Sequence, residues 1–220
     1  MRDFIRFGKS ELHFVTLSRE RLFLACMPQR FPRPSRLPSW AKIKVLAPRL
    51  RRTDMASLTF EASLPHPDDT DKLGARLADA VSKEAGAVAG HGLAVRLEGN
   101  LGAGKTSLVR AMLRRLGFAG PVKSPTFSLV ETYPVAGLTL NHFDFYRFEE
   151  PEEFEDAGFR DLFGPGFVSA TEWTEKASPY VPDADLVIEL ALEGLGRRAV
   201  LKGLTPLGEA LVAHVSEAGE

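Results

Sequence analysis

Residues 93–116 read LAVRLEGNLGAGKTSLVRAMLRRL, and the fold turns on them. Leu93 through Leu97 form a short apolar strand interrupted only by Arg96. Residues 105–116 place Leu108, Met112 and Leu116 on one helical face, and Gly117 supplies a stop. Between them stands Gly99-Asn100-Leu101-Gly102-Ala103-Gly104-Lys105-Thr106, which fits G-x-x-x-x-G-K-[ST] between a strand and a helix. Glycines let backbone N–H groups turn toward phosphate oxygens with no Cβ in the way. The helix starting here adds the partial positive charge of its N-terminus. In this pattern the lysine, Lys105, reaches the β- and γ-phosphates, and the hydroxyl of Thr106 is a magnesium ligand.

Outward from the loop the chain alternates helix and strand. Leu58, Phe60, Ala62 and Leu64 alternate with polar residues, predicting a strand. Leu73, Leu77, Ala80 and Val81 recur at helical spacing, predicting a helix over 70–85 that Gly86, Gly90 and Gly92 bring to an end. Residues 127–133 and 138–145 read as a hairpin around Val135-Ala136-Gly137. A helix is expected from Pro151 to about Phe163, opened by Glu152, Glu153 and Glu155. A strand over 166–171, a strand pair over 185–192 and 197–203, and a closing helix over 206–217 complete the reading. Helices interleaved with strands predict a three-layer α/β fold. The hairpin makes its sheet mixed, though mostly parallel.

Composition narrows the classes. Hydrophobic residues are 44% and charged residues 26%, the balance of a globular protein. The only cysteine is Cys26, which excludes a disulfide framework and a cysteine-based zinc site. No stretch approaches 18 uninterrupted apolar residues, so no membrane span is expected. The net charge of −1 conceals an asymmetry: residues 1–54 carry 13 Lys/Arg against 4 Asp/Glu, and residues 55–220 carry 15 against 25. The basic, proline-rich segment 1–54 is read as a disordered extension or the product of a misassigned start, with Met55 opening the working domain at 55–220. A basic RNA arm and an organellar transit peptide are the competing readings of that segment.

A phosphate loop calls for a second carboxylate near magnesium, usually at the end of a neighbouring strand. Asp144 lies near the end of the strand over 138–145 and suits that role. Glu172 follows the strand over 166–171; from the residues alone it is either a metal or water contact or a plain strand-end carboxylate. Thr126, in Ser124-Pro125-Thr126, is either a γ-phosphate sensor or a turn hydroxyl. His142 reads as a packed or hydrogen-bonded side chain rather than a base, and Arg147 as either a phosphate contact or a carboxylate partner.

Four strings occur in order: EGNLGAGKT at 98–106, VKSPTFSLVE at 122–131, HFDFYR at 142–147 and EW at 172–173. Together they resemble the TsaE family of bacterial P-loop ATPases, over about residues 58–218. The resemblance implies a P-loop NTPase fold with ATP and Mg2+ as ligands. It implies phosphate binding by Gly99, Asn100, Leu101, Gly102, Ala103, Gly104, Lys105 and Thr106, with Lys105 essential. It implies magnesium ligands at Thr106 and Glu172, a supporting acid at Asp144 and a switch-like Thr126. The segment from His66 to Thr70 would lie against adenine, and Trp173 beside the site. The implied function is cytoplasmic: slow ATP hydrolysis needed for threonylcarbamoyladenosine modification of tRNA next to the anticodon. The implied partners are TsaD and TsaB, with hydrolysis resetting their complex and tRNA met indirectly through it. The sequence departs from the family pattern at Asn100, where Asp is usual, and in the extension over 1–54.

Two other readings share the loop. A small-molecule kinase would need an acceptor pocket and an Arg-rich lid; Arg147, Arg160, Arg197 and Arg198 do not cluster as one, although the last two are adjacent. A nucleotide-gated binding module would keep its function after loss of hydrolysis.

Overall fold

The computed structural model describes residues 58–218; the expected extension over 1–54 and the opening at Met55 lie outside the described residues. In chain order the elements are β1 (Thr59–Leu64), α1 (Pro67–Lys83), α2 (Ala85–His91), β2 (Leu93–Glu98), α3 (Lys105–Arg115), β3 (Val130–Val135), β4 (Leu138–Asp144), α4 (Glu153–Asp156), β5 (Phe167–Glu172), β6 (Leu186–Glu193), β7 (Gly196–Gly203) and α5 (Pro206–Glu217). Single 3-10 turns stand at Phe159–Leu162 and Thr174–Ala177. The strands make one sheet in the order β1-β7-β6-β2-β5-β4-β3. Its centre, β6-β2-β5-β4, is parallel, and both margins are antiparallel. The mixed, mostly parallel sheet flanked by helices is thus the architecture expected.

Alternation along the strands sorts the two faces. Leu93, Val95 and Leu97 of β2, Leu138 and Leu140 of β4, and Val168 and Ala170 of β5 join an aliphatic core with Leu77 of α1, Leu108 of α3 and Leu211 of α5. At Gly74 the two helices α1 and α3 meet closely: a Cβ there would lie 2.5 Å from Ala111 Cβ and 2.8 Å from the Leu108 carbonyl oxygen. This contact fixes α3, and with it the loop that α3 ends. Gly117 (φ +91°) closes α3, and the Phe118 N–H reaches the Leu113 carbonyl at 2.9 Å. Thr205 caps α5 by accepting from the Gly208 N–H at 3.2 Å.

The other face is covered by α4 and the two 3-10 turns. Phe143 and Phe145 there meet Phe148, Phe154 and Phe159 in an aromatic cluster. Each fully buried ring of this kind contributes about 1.5–3 kcal/mol by leaving water. Over β1, β7 and β6 the same face carries charged pairs instead, Glu61 with Arg198 and Glu189 with Lys202.

Three expectations are corrected. The glycine-marked end of α1 is a second short helix, α2, which buries Val88. The helix expected from Pro151 to Phe163 is broken after α4, because Gly158 takes a left-handed conformation (φ +68°) and a 3-10 turn follows. The strand expected from Phe127 begins at Val130. Residues 126–129 turn instead, the Leu129 N–H bonding the Pro125 carbonyl at 2.7 Å.

Candidate nucleotide-binding site

Three parallel strands end side by side, with Leu97 of β2 opposite Glu172 of β5, and Glu172 opposite Asp144 of β4. The carboxyl ends of parallel strands open the crevice in which α/β sheets bind ligands. Residues 99–104 leave β2 at that edge and deliver the chain into α3. Gly99, Gly102 and Gly104 all have positive φ, at +140°, +81° and +108°. At Gly99 a Cβ would meet the Leu190 carbonyl oxygen at 2.2 Å, so glycine is required there by space as well as conformation. The Ala103 N–H bonds the Asn100 carbonyl at 3.1 Å, which curls the loop. Ala103 is buried, whereas Leu101 at the tip is 82% exposed.

Lys105 is the first residue of α3, and its N-cap is Gly104. The side chain is 4% exposed. Its ammonium donates to the Gly99 carbonyl at 2.6 Å and the Asn100 carbonyl at 3.2 Å. It also lies 3.5 Å from Glu172 Oε2 and 5.0 Å from the centre of the Trp173 ring. The other Glu172 oxygen, Oε1, accepts from Thr106 Oγ1 at 3.3 Å and faces His142 Nε2 at 2.9 Å. Lys105, Thr106, His142 and Glu172 therefore form one hydrogen-bonded group at the head of α3. The amides that open α3 have no carbonyl a turn earlier to bond and stand ready for an anion.

Asp144 belongs to a second group. Its Oδ2 accepts from Thr126 Oγ1 at 2.6 Å, its Oδ1 accepts from the Tyr146 N–H at 3.0 Å, and Ser124 Oγ lies 2.9 Å from Thr126 Oγ1. Strand pairing of Asp144 with Glu172 joins the two groups. Lys105, Thr106, Asp144 and Glu172 thus lie at this end of the sheet, and Thr126 reaches it through Asp144. The Arg147 guanidinium lies 4.2 Å from the centre of the Phe127 ring. His66 opens α1, where its N–H bonds Asp69 Oδ2 at 3.0 Å; the Asp69 carboxyl is held below its ordinary pKa by the Lys72 ammonium and by that N–H.

Of two further residues at the site, His142 is packed and hydrogen-bonded as expected, though its partner was not legible in the sequence, and Arg197 was not legible as a site residue. His142 is fully buried, and its Nδ1 has no partner among the described residues. With Glu172 ionised, Nε2 carries the hydrogen, and the imidazole fixes the carboxylate. The available signal was the spacing of His142 and Asp144 by two along a strand, which puts them on one face. Arg197 is the other: its Nε donates to the Ala103 carbonyl at 2.7 Å across 94 residues of chain.

No group of three or more His, Cys, Asp or Glu side chains converges among the described residues. A dedicated protein cage for a metal is therefore not present in them, and Mg2+ does not need one. It takes oxygen ligands in an octahedron, commonly one or two from protein and the remainder from phosphate and water. Thr106 Oγ1 and Glu172 Oε1, adjacent hard oxygens at the head of α3, fit that donor set. No helix among the described residues is long and apolar enough to cross a membrane.

The family model described as "Threonylcarbamoyl adenosine biosynthesis protein TsaE" matches residues 64–200. A relative from Haemophilus influenzae, named tRNA threonylcarbamoyladenosine biosynthesis protein TsaE, is 43% identical over 122 residues, 56% of this chain and 77% of its own. Relatives of the same name from Bacillus subtilis and Treponema pallidum are 35% and 36% identical, over 75% and 81% of their lengths and 55% and 50% of this chain. The crystal structure of Bacillus subtilis YdiB superposes with a TM-score of 0.57 at 23% identity, covering all of that chain and 76% of this one, a likeness of fold.

Proposed function

The chain belongs to the TsaE family, and from that premise we propose that it is a magnesium-dependent ATPase required for threonylcarbamoyladenosine modification of tRNA. The observation that carries this reading is the convergence of Lys105, Thr106 and Glu172 on the N-terminus of α3. Phosphoryl transfer to water asks a protein for positioning and charge neutralisation rather than covalent chemistry. The loop amides and the Lys105 ammonium bind and orient the β- and γ-phosphates of ATP. Thr106 and Glu172 hold Mg2+, which when bound neutralises charge developing on the phosphate oxygens. His142 keeps the Glu172 carboxylate aimed at Thr106. Asp144 orders the water side of the site and, through Thr126, ties the loop over 124–129 to it. Under this reading turnover of the isolated chain is slow, because among the described residues Arg147 stacks on Phe127, Arg198 pairs with Glu61 and Arg197 is engaged on the Ala103 carbonyl.

We assign residues 55–220 as the working domain, acting in the cytoplasm with TsaB and TsaD and meeting tRNA through their complex, which hydrolysis resets. Strand alternation sends Arg197 and Arg198 to opposite faces of β7, which counts against a kinase lid built on that pair. The test is ATP hydrolysis with Mg2+ by the full chain and by residues 55–220, each alone and with TsaB plus TsaD, beside Lys105→Ala. Stimulation by the pair, lost in the Lys105 variant and equal for both lengths, is the expected result. A folded chain that binds ATP but is never stimulated contradicts the partnership.

A further inference from the structure

Arg197 and Arg198 stand next to each other on β7, and strand alternation sends them to opposite faces. Arg198 pairs with Glu61 on the outer face. Arg197 turns to the loop over 99–104, where its Nε donates to the Ala103 carbonyl at 2.7 Å. The guanidinium lies flat enough on the chain that a Cβ at Gly104 would stand 2.9 Å from Nε and 3.4 Å from Cδ.

We propose that Arg197 is a positioning residue for the nucleotide phosphates: it holds the peptide between Ala103 and Gly104 so that the Gly104 N–H faces the phosphate cradle. This inference rests on the nucleotide reading above. A trans peptide is planar, so its carbonyl and the following N–H point in opposite directions. A carbonyl drawn outward by Arg197 sets the next N–H inward. Glycine at 104 cannot hold this orientation unaided, because it has the widest backbone freedom of any residue. The donor stands on a strand flanked by β1 and β6, with Arg197 opposite Leu64 and Leu192, so its position is fixed by the sheet rather than by a loop. Among the described residues Arg197 makes no ion pair with a carboxylate, so its full charge adds to the positive potential at the head of α3. The phosphate-loop pattern ends at Thr106; this support for it arrives from 91 residues further along the chain.

Arg197→Met keeps the side-chain stem against Gly104 and removes donor and charge. Titration calorimetry of the full chain with ADP reads the effect. The expected result is a Kd raised about tenfold or more, the range of a lost charge-assisted hydrogen bond. ATP hydrolysis is expected to show a raised KM with kcat kept within about twofold, the signature of lost uniform binding. Inorganic tripolyphosphate, competed against ADP, is expected to lose affinity by the same factor, since it carries no base or sugar. An ADP affinity equal to that of the unaltered chain overturns the proposal, as does a loss seen with ADP and not with tripolyphosphate. Arg197→Lys keeps the charge without the lateral donor and is expected to fall between the two. Should the methionine variant not fold, an unaltered ADP affinity in the folded lysine variant overturns the proposal. If the unaltered chain itself fails to bind ADP, the nucleotide reading falls. If it binds and loses binding with Lys105→Ala while Arg197→Met is unaffected, only this inference falls.

Discussion

The loops over 99–104 and 124–129 border the same crevice and are held by different means. The first is fixed through its main chain: three left-handed glycines, the Lys105 ammonium on two of its carbonyls, Arg197 on a third, and a close approach of Gly99 to Leu190. The second is held at its exposed stretch by a side chain, the bond from Thr126 to Asp144, and only at its far end by main chain, where the Asp144 N–H reaches the Leu129 carbonyl at 3.0 Å; Leu129 takes φ +64° and Phe127 is 85% exposed. A loop held by its backbone presents the same N–H groups whatever its neighbours do. A stretch tied to a carboxylate through one hydroxyl, as Thr126 is to Asp144, follows the position of that carboxylate. Under the proposed function, the pair divides the labour of the site into a fixed cradle and a responsive edge.

The largest effect expected from breaking this contrast is at Lys105. Lys105→Ala removes the ammonium from the cradle, and hydrolysis above background is expected to disappear in a coupled phosphate-release assay while circular dichroism stays native. Gly104→Ala comes next. A methyl group at φ +108° and 2.9 Å from Arg197 Nε strains the loop by about 1–3 kcal/mol. Urea unfolding should show that loss, with ADP affinity falling at least about tenfold. Thr126→Val sharpens the comparison from the other side. ADP affinity is expected to remain within about twofold, whereas kcat falls on the order of tenfold as the Asp144 carboxylate loses its donor. A Thr126→Val chain that loses ADP affinity instead would place the second loop in the cradle. The smallest effect is expected at Phe127→Ser, where stability should stay within about 0.5 kcal/mol and basal hydrolysis should be unchanged. Marked destabilisation there would mean that the exposed ring and its Arg147 partner hold the loop after all.

The difference between the loops also governs what could be read in advance. A backbone-built cradle leaves its requirements in the sequence as glycines at set intervals before Lys105 and Thr106, so the strand, loop and helix over 93–116 were legible together. Asp144 and Glu172 were legible as strand ends. The second loop was mistaken for strand because Phe127, Leu129 and Val130 carry strand propensity; a local bond from Leu129 to Pro125 overrides it. Gly86 and Gly90 concealed α2 for the opposite reason: they lower helix propensity, yet Val88 still finds the core. His142 needed the pairing of β4 with β5 before its carboxylate partner could be named. Arg197 needed a contact across 94 residues that no local pattern encodes.

Lys105 already has partners in this structure, the Gly99 and Asn100 carbonyls and the Glu172 carboxylate. A cation so engaged acts as a placeholder. Under the proposed function, the ammonium exchanges these bonds for phosphate oxygens when a nucleotide binds and returns to them when product departs. Part of the phosphate attraction is offset by the bonds surrendered, so product is held less tightly than the contacts alone would dictate. Under the proposed function, that offset shortens the residence of ADP and readies the loop for the next ATP.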